Sequence, residues 1–136
     1  MPRADRSAKG GSAEAASRLR MARTYLDAAE LVANERHASF TNVTAGLAVL
    51  AGIAASDAIC CVRLGRYHRG EDHRGATDLL RTATPDGREL GTRLERLLGL
   101  EDTAHYGATL IPASAASNAV RWARQLVGRA QEELER

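Results

Sequence analysis

The segment Arg63–Arg74 (RLGRYHRGEDHR) holds the densest set of side chains that bind phosphate, stack on bases or transfer protons. Those side chains are Arg63, Arg66, Arg69, Arg74, Tyr67, His68 and His73. Arginine offers a planar pair of donors that fits a phosphate, tyrosine offers a ring for a base, and histidine titrates near neutral pH. We therefore expect the four arginines to hold the phosphates of a nucleic acid or nucleotide. The alternative is a solvated connecting loop, in which Glu71 and Asp72 cancel part of the charge.

Three residues are candidates for catalysis: Asp57, His73 and His105. Asp57 lies inside the most apolar stretch of the chain, where an unpaired buried carboxylate is unfavourable. It therefore either pairs with an arginine or a neighbouring helix, or lines a polar cleft and orients a histidine. His105 follows the acidic Glu101 and Asp102 and is either structural or a general acid and base. The sequence has no metal-ligand spacing, glycine-rich phosphate loop or serine nucleophile signature, so we expect no metal and no cofactor.

The composition restricts the fold more than it restricts the partner. The net charge of +2 does not by itself indicate nucleic acid, but all but one of the 19 basic residues are arginines, Lys9 being the exception. This bias indicates phosphate or carboxylate binding, or else a GC-rich genome. Cys60 and Cys61 are adjacent in a predicted helix, where their side chains diverge by about 100°. They are poorly placed to bridge one another, and we expect them to be reduced core residues.

The elements that position these side chains are predicted to be helices. Apolar residues recur at spacings of three and four, and no strand alternation is present. This pattern predicts long helices over about 15–33, from Thr41 to an end at Gly65, and from Ser114 or Ser117 to about 134. Shorter helices are predicted over 72–83 and 85–99, with a helical turn within 100–107. The fold is therefore predicted to be all-α, an up-and-down bundle of about five helices, three long and two short.

The chain is long enough for one domain, which we place at residues 13–136. Residues 1–12 combine Pro, Gly, Ser and charges without apolar periodicity, and we expect a disordered N-terminal tail there. At the other end, Glu132, Glu133 and Glu135 are expected to be exposed. The stretch Val43–Val62 has the length of a membrane span. Its Thr, Ser, Asp and many small residues favour a core helix, so we expect a cytoplasmic protein without a membrane segment.

From about Ala15 to Glu133 the chain resembles the HEPN superfamily of small prokaryotic helical bundles. The resemblance is carried by the opening RMARTYLDAAELV, the Ala-rich LAVLAGIAASDAICC, the segment DHRGATDLL and the segment LLGLEDTAHYG. It implies an up-and-down bundle that commonly forms a homodimer. It also implies an association with RNA cleavage, defence and toxin–antitoxin systems, and hence an antitoxin-like protein as a possible partner.

Active members of this superfamily use an Arg-x4–6-His motif for metal-independent RNA cleavage, in which the arginine steadies the phosphate. The corresponding histidine here would be His105, but Leu100 stands five residues before it and Arg96 is too distant. Arg63 with His68, and Arg66 with His73, have the required spacing but follow the second helix, where the motif does not usually lie.

The sequence thus favours a HEPN-like protein that binds RNA or a nucleotide and has a degenerate nuclease motif. Arg63, Arg66, Arg69 and Arg74 would hold phosphate, and Asp57, His73 and His105 would line the adjacent cleft. One alternative is a metal-independent ribonuclease with a rearranged centre that uses His73 or His105. Another is an interaction module that binds a protein partner and has no such site.

Overall fold

The computed structural model of the protein describes residues 7–35, 37–70, 72–107 and 109–136. Helices account for most of these residues, and two three-residue strands accompany them. In chain order the elements are β1 (Ser7–Lys9), α1 (Ser12–Ala33), a 3-10 turn (Ala38–Phe40), α2 (Thr41–Leu64), β2 (Arg66–His68), α3 (Arg74–Ala83), α4 (Gly87–Leu98), α5 (Glu101–Tyr106) and α6 (Ala113–Glu135). The predicted all-α bundle is confirmed, with α1, α2 and α6 long, α3 and α4 shorter, and α5 the expected helical turn.

Helix α2 is the centre of the bundle, because α1, α3, α4, α5, α6 and β2 all pack against it. Its alanines and glycines allow this close approach. A Cβ atom on Gly52 would lie 2.5 Å from Leu97 Cδ1 and 3.4 Å from Leu126 Cδ1, so α4 and α6 both press against this point. The helix ends at Gly65, whose φ of 68° lies in the left-handed region that favours glycine. The predicted end of the second helix is therefore confirmed.

Helices α1 and α2 are antiparallel, as their short connection predicts. The Gly10 N–H, just before α1, donates to the Gly65 carbonyl, just after α2, at 3.0 Å. The start of α1 thus lies beside the end of α2. This end of the bundle also carries the two strands, so much of the charged segment 63–74 lies here.

The prediction that residues 1–12 form a disordered tail is wrong for the part that the structure describes. Ser7–Lys9 forms β1, which pairs antiparallel with β2, and Ser12 is the first residue of α1. Residues 1–6 lie outside the described part. Three-residue strands give no periodic signal in a sequence, and their pairing depends on a partner far along the chain.

The expectation that Glu133 is exposed is also wrong, since only 2% of its surface is accessible. Glu132 and Glu135 are exposed as expected. Glu133 lies on the inner side of α6, where two arginines bind it. A run of glutamates indicates a solvated helix end unless cations on other elements reach one of them.

The segment Ala38–Leu64 has the length and hydropathy of a membrane-spanning helix. In the structure, 78% of its most apolar window is buried by the surrounding helices. This burial is the environment that the sequence predicts for a core helix.

Candidate functional site

The two strands place basic side chains next to each other at the end of the bundle. In their register, Lys9 lies opposite Arg66, Ala8 opposite Tyr67, and Ser7 opposite His68. Directly opposed residues of an antiparallel pair project from the same face, with Cβ atoms about 5 Å apart. Lys9 and Arg66 therefore stand side by side on one face, and both are exposed. Lys9 and Arg66 thus place two cationic side chains on one exposed face.

The paired strands β1 and β2 form a short ribbon. Tyr67 projects from the face of this ribbon opposite to Lys9 and Arg66 and packs against the bundle. A Cβ atom on Gly10 would lie 2.6 Å from Cys61 Sγ and 2.8 Å from Tyr67 Cδ1, so the chain can pass between α2 and Tyr67 only because residue 10 lacks a side chain. From α1, the Arg18 guanidinium carbon lies 5.1 Å from the centre of the Tyr67 ring. This cation–π contact ties the ribbon to the first helix.

Asp57 pairs with Arg18, the same arginine that contacts Tyr67. Its Oδ2 atom is 3.9 Å from Arg18 Nε, and 7% of the residue is accessible. Burial raises the pKa of the Asp57 carboxyl to about 7, and the Arg18 charge opposes that rise. No histidine of the described residues forms an ion pair or hydrogen bond with it. Of the two predicted roles for Asp57, the structure thus shows the arginine pairing and not the orientation of a histidine.

Cys60 and Cys61 are buried, free thiols in the same region, as expected of core residues. Burial, followed by the Asp57 charge, raises the pKa of Cys60 to about 12 and that of Cys61 to about 11. Both thiols therefore stay protonated and unreactive near neutral pH.

The four predicted phosphate-binding arginines have different environments. Arg63 donates from Nε and Nη2 to the two carboxylate oxygens of Glu133, at 2.6 and 3.0 Å. Arg74 donates to both oxygens of Asp72, at 3.2 Å. Arg66 and Arg69 lie on the exposed ribbon and the turn that follows it. Arg66 thus lies opposite Lys9, and Arg69 follows the end of β2. Arg63 binds Glu133, and Arg74 binds Asp72.

Lys9 was missed by the sequence analysis, and no local signal could have identified it. It lies in a polar N-terminal stretch, far along the chain from the charged segment. Its proximity to Arg66 follows only from the pairing of β1 with β2.

The candidate histidines do not share a cleft with Asp57. His105 is exposed, and its ring packs against Gly46, where a Cβ atom would lie 3.0 Å from His105 Cε1. Gly46 precedes Asp57 by three turns of α2, which is about 16 Å along the helix axis. His73 lies elsewhere, with its Nε2 atom 3.4 Å from Glu101 Oε1. The predicted cleft of Asp57, His73 and His105 is therefore not formed around Asp57.

Both histidines lie at helix α5, since His105 belongs to it and His73 pairs with Glu101 on it. Glu101, which pairs with His73, is four residues before His105 and so shares one face of the helix with it. His68 is engaged differently, because its Nε2 atom lies 2.8 Å from the Asp72 carbonyl oxygen. Arg63, which has the motif spacing to His68, binds Glu133.

Asn42 fixes the position of α5 and was not identified from the sequence. Its side-chain amide donates to the carbonyls of Thr103 and Thr109, at 3.1 and 3.2 Å. Its side-chain oxygen accepts from the Ile111 N–H at 2.7 Å. One asparagine on α2 therefore holds both ends of the connection between α5 and α6, which in turn places His105 against Gly46.

A network of ion pairs lies at the same end of the bundle as the ribbon and consists of Arg63, Asp86, Arg129 and Glu133. Arg129 donates to both oxygens of Asp86, at 2.8 and 3.0 Å, and lies 2.9 Å from Glu133 Oε1. Arg63 binds Glu133 from the other side. The hydrogen bond from Arg63, followed in effect by that from Arg129, lowers the pKa of Glu133. Similarly, Arg129 lowers the pKa of Asp86. Arg63 thus joins α2 to α6 and is not available in this arrangement for a ligand phosphate.

Among residues 7–35, 37–70, 72–107 and 109–136, no group of three or more His, Cys, Asp or Glu side chains is arranged to hold a metal ion. When the sequence is compared with models of protein families and with curated proteins, it matches none of them.

Proposed function

We propose that the protein binds single-stranded RNA through a basic ribbon formed by Lys9, Arg66 and Arg69. The observation that carries this proposal is the cross-strand pairing of Lys9 with Arg66, which concentrates positive charge on one exposed face. Phosphates neutralise such charges and release counterions, a favourable contribution that does not depend on the base sequence.

The rigidity of the ribbon supports this proposal. Tyr67 is held between Gly10 and Arg18, so the face that carries Lys9 and Arg66 has a fixed orientation relative to the bundle. A preorganised site loses less conformational entropy on binding than a flexible basic tail does.

The resemblance to the HEPN superfamily adds the class of ligand and the biological setting. It supports an RNA ligand, a homodimer and a role in a toxin–antitoxin or defence system with an antitoxin-like partner. It also supports binding without cleavage, because Leu100 stands where the motif's arginine would precede His105.

An apolar end of the bundle is consistent with a protein contact of this kind. Phe40 and Leu110 line one cleft between the 3-10 turn and the start of α6, and Leu110 is 56% exposed. Val43 and Tyr106, the latter 85% exposed, are further large apolar side chains at this end. This end lies away from the basic ribbon, so a second copy or a protein partner could occupy it without covering Lys9 and Arg66.

The test is RNA binding by the double variant Lys9→Ala/Arg66→Ala, measured by the fluorescence anisotropy of a labelled single strand at 50–200 mM salt. We expect the affinity to fall by about ten- to a hundredfold. The slope of log affinity against log salt concentration should decrease by the equivalent of about one to two phosphate contacts. The matched control is Arg20→Ala/Arg23→Ala, which removes the same charge from an exposed face of α1. Equal loss in both double variants, or no loss in the first, would remove the assignment to the ribbon.

Metal-independent RNA cleavage is the second candidate function. It is favoured by the position of His73, whose Nε2 atom lies 3.4 Å from Glu101 Oε1, because a neighbouring carboxylate can orient an imidazole for proton transfer. If the same labelled RNA is cut in the presence of EDTA, we expect cutting to stop in His73→Ala or His105→Ala. An uncut RNA that still binds supports the binding function alone.

A further inference from the structure

The tryptophan of this chain lies under an arginine on a second basic surface. Trp122 is half-buried on α6, and the guanidinium carbon of Arg96 on α4 lies 5.7 Å from the centre of its ring. Trp122 is the single tryptophan in the sequence. Arginine over an indole is a cation–π pair whose planar outer face can stack in turn on a nucleic-acid base.

Two further arginines are close to this pair in the sequence. Arg93 precedes Arg96 by three residues and so shares a face of α4 with it, and the exposed Arg121 directly precedes Trp122. Within the described part of the chain, no carboxylate oxygen lies within 4.0 Å of a guanidinium nitrogen of these three arginines. Arg63, Arg81, Arg124 and Arg129 do form such ion pairs. The arginine that covers Trp122 and these two neighbours in the sequence are thus outside the ion pairs that engage the other arginines.

The apolar surface of the molecule lies elsewhere. The exposed large hydrophobic side chains among the described residues are Met21, Leu31, Phe40, Val43, Val62, Tyr106 and Leu110. None of them belongs to α4 or α6. The face between these helices therefore lacks the apolar surface that a protein partner or a lipid would bury, and has instead one aromatic ring with three cations.

We propose that Trp122, Arg93, Arg96 and Arg121 form a second contact for single-stranded nucleic acid, which we call the tryptophan site. A base stacks on the Arg96–Trp122 pair, while Arg93 and Arg121 neutralise the phosphates on either side. A single strand is required because the bases of a duplex are stacked on each other and present no free face. This inference rests on the proposed RNA-binding function. It adds a site that contacts the bases by stacking as well as the phosphate backbone.

The experiment uses the fluorescence of Trp122 during titration with unlabelled oligoadenylate, alongside the anisotropy of the same oligonucleotide carrying a label. Because Trp122 is the sole tryptophan, all of the tryptophan emission comes from this position. We expect saturable quenching by the single strand and none by a duplex of equal length. The double variant Arg93→Ala/Arg96→Ala is expected to lose about tenfold in affinity, against little change in Arg20→Ala/Arg23→Ala.

The variant Trp122→Phe keeps an aromatic ring in the half-buried position, so that a loss of affinity in Trp122→Ala can be separated from misfolding. Trp122→Phe is expected to keep most of the affinity, while Trp122→Ala loses it. Circular dichroism verifies that each variant is folded.

The two proposals fail in different ways. RNA binding that is detected by anisotropy, but leaves Trp122 fluorescence unchanged and does not respond to Arg93→Ala/Arg96→Ala, would overturn the tryptophan site and leave the basic ribbon intact. Quenching that persists unweakened in Lys9→Ala/Arg66→Ala would overturn the ribbon and support the tryptophan site. If the wild-type protein neither binds the labelled strand nor is quenched by it, both proposals are wrong.

Discussion

Two buried carboxylates near the same end of the bundle, Asp57 and Glu133, have opposite electrostatic properties. Glu133 is 2% exposed, accepts two hydrogen bonds from Arg63 and lies within 2.9 Å of Arg129, so its pKa is lowered. Asp57 is 7% exposed and has Arg18 at 3.9 Å, and burial raises its pKa to about 7. Two groups with similarly low exposure thus differ in the sign of their pKa shift.

The two carboxylates differ in the number and distance of their donors and also in depth, since more of the protein surrounds Asp57 than Glu133. Two arginines at hydrogen-bonding distance offset the loss of hydration at Glu133, while one more distant arginine does not do so at Asp57. The two sites also differ in what they join. Glu133 holds α6 to α2, whereas Asp57 positions Arg18 beneath Tyr67 of the ribbon.

The largest expected effect comes from breaking the Glu133 network. The substitution Arg129→Met removes a partner from both Glu133 and Asp86 and leaves the buried Glu133 with Arg63 as its remaining ion-pair partner among the described residues. We expect the free energy of unfolding at pH 7 to fall by about 3 kcal/mol, as measured by urea denaturation. The matched control is Arg124→Met, which breaks an exposed pair with Glu30 and is expected to lose less than about 1 kcal/mol. Similar losses in the two variants would show that the network contributes no more than a surface ion pair.

An intermediate effect is expected from removing the charge of Asp57. Its folded-state pKa of about 7 exceeds the ordinary value of 3.8, so the folded protein binds more protons than the unfolded chain between these values. This group's contribution to stability is therefore fully present below about pH 4 and is lost as the pH rises to about 7. At pH 8 we expect Asp57→Asn to be more stable than wild type by about 1–3 kcal/mol.

The measurement for Asp57→Asn is urea denaturation at several pH values from about 3 to 8. The difference between variant and wild type should widen as the pH rises. Glu133 provides the internal contrast, because its lowered pKa means that its contribution is lost as the pH falls below 4.5. A variant that is less stable than wild type at pH 8 would mean that the carboxylate makes hydrogen bonds that outweigh its desolvation.

The smallest effect is expected from Arg18→Met, which removes the one cation that pairs with Asp57. Because Arg18 lowers the pKa of Asp57, its loss should raise that pKa further and shift the pH dependence of stability upward. Arg18 is about one-third exposed, so we expect a loss of less than about 1 kcal/mol at pH 8. Faster hydrogen exchange of the ribbon amides, with unchanged exchange in α2, would show that Arg18 acts mainly on the ribbon. Unchanged exchange there would contradict this role.

The sequence predicts the helices well because their apolar spacing is a local signal. The central position of α2 follows from its small apolar residues, and its end follows from the left-handed preference of Gly65. The ribbon could not be predicted in this way. Its strands are three residues long, and the Lys9–Arg66 pair depends on contacts between distant parts of the chain.

The candidate site was predicted only in part for the same reason. Arg66 lies on β2 and Arg69 follows it, both exposed, whereas Arg63 binds a glutamate that the sequence suggested was solvated. Nothing in the order of the residues indicates that Glu133, seventy positions later, would reach Arg63. Ion pairs between elements depend on the tertiary arrangement, which the charge pattern of one segment does not contain.

The pairing of β1 with β2 also has a kinetic consequence. Strand β1 precedes α1 and strand β2 follows α2 in the chain. The two helices must therefore already be packed before the strands can pair. The packing of Tyr67 against Gly10 and Arg18 likewise requires α1 and α2 to be in place. We therefore expect the ribbon to form last during folding, after the two helices have packed.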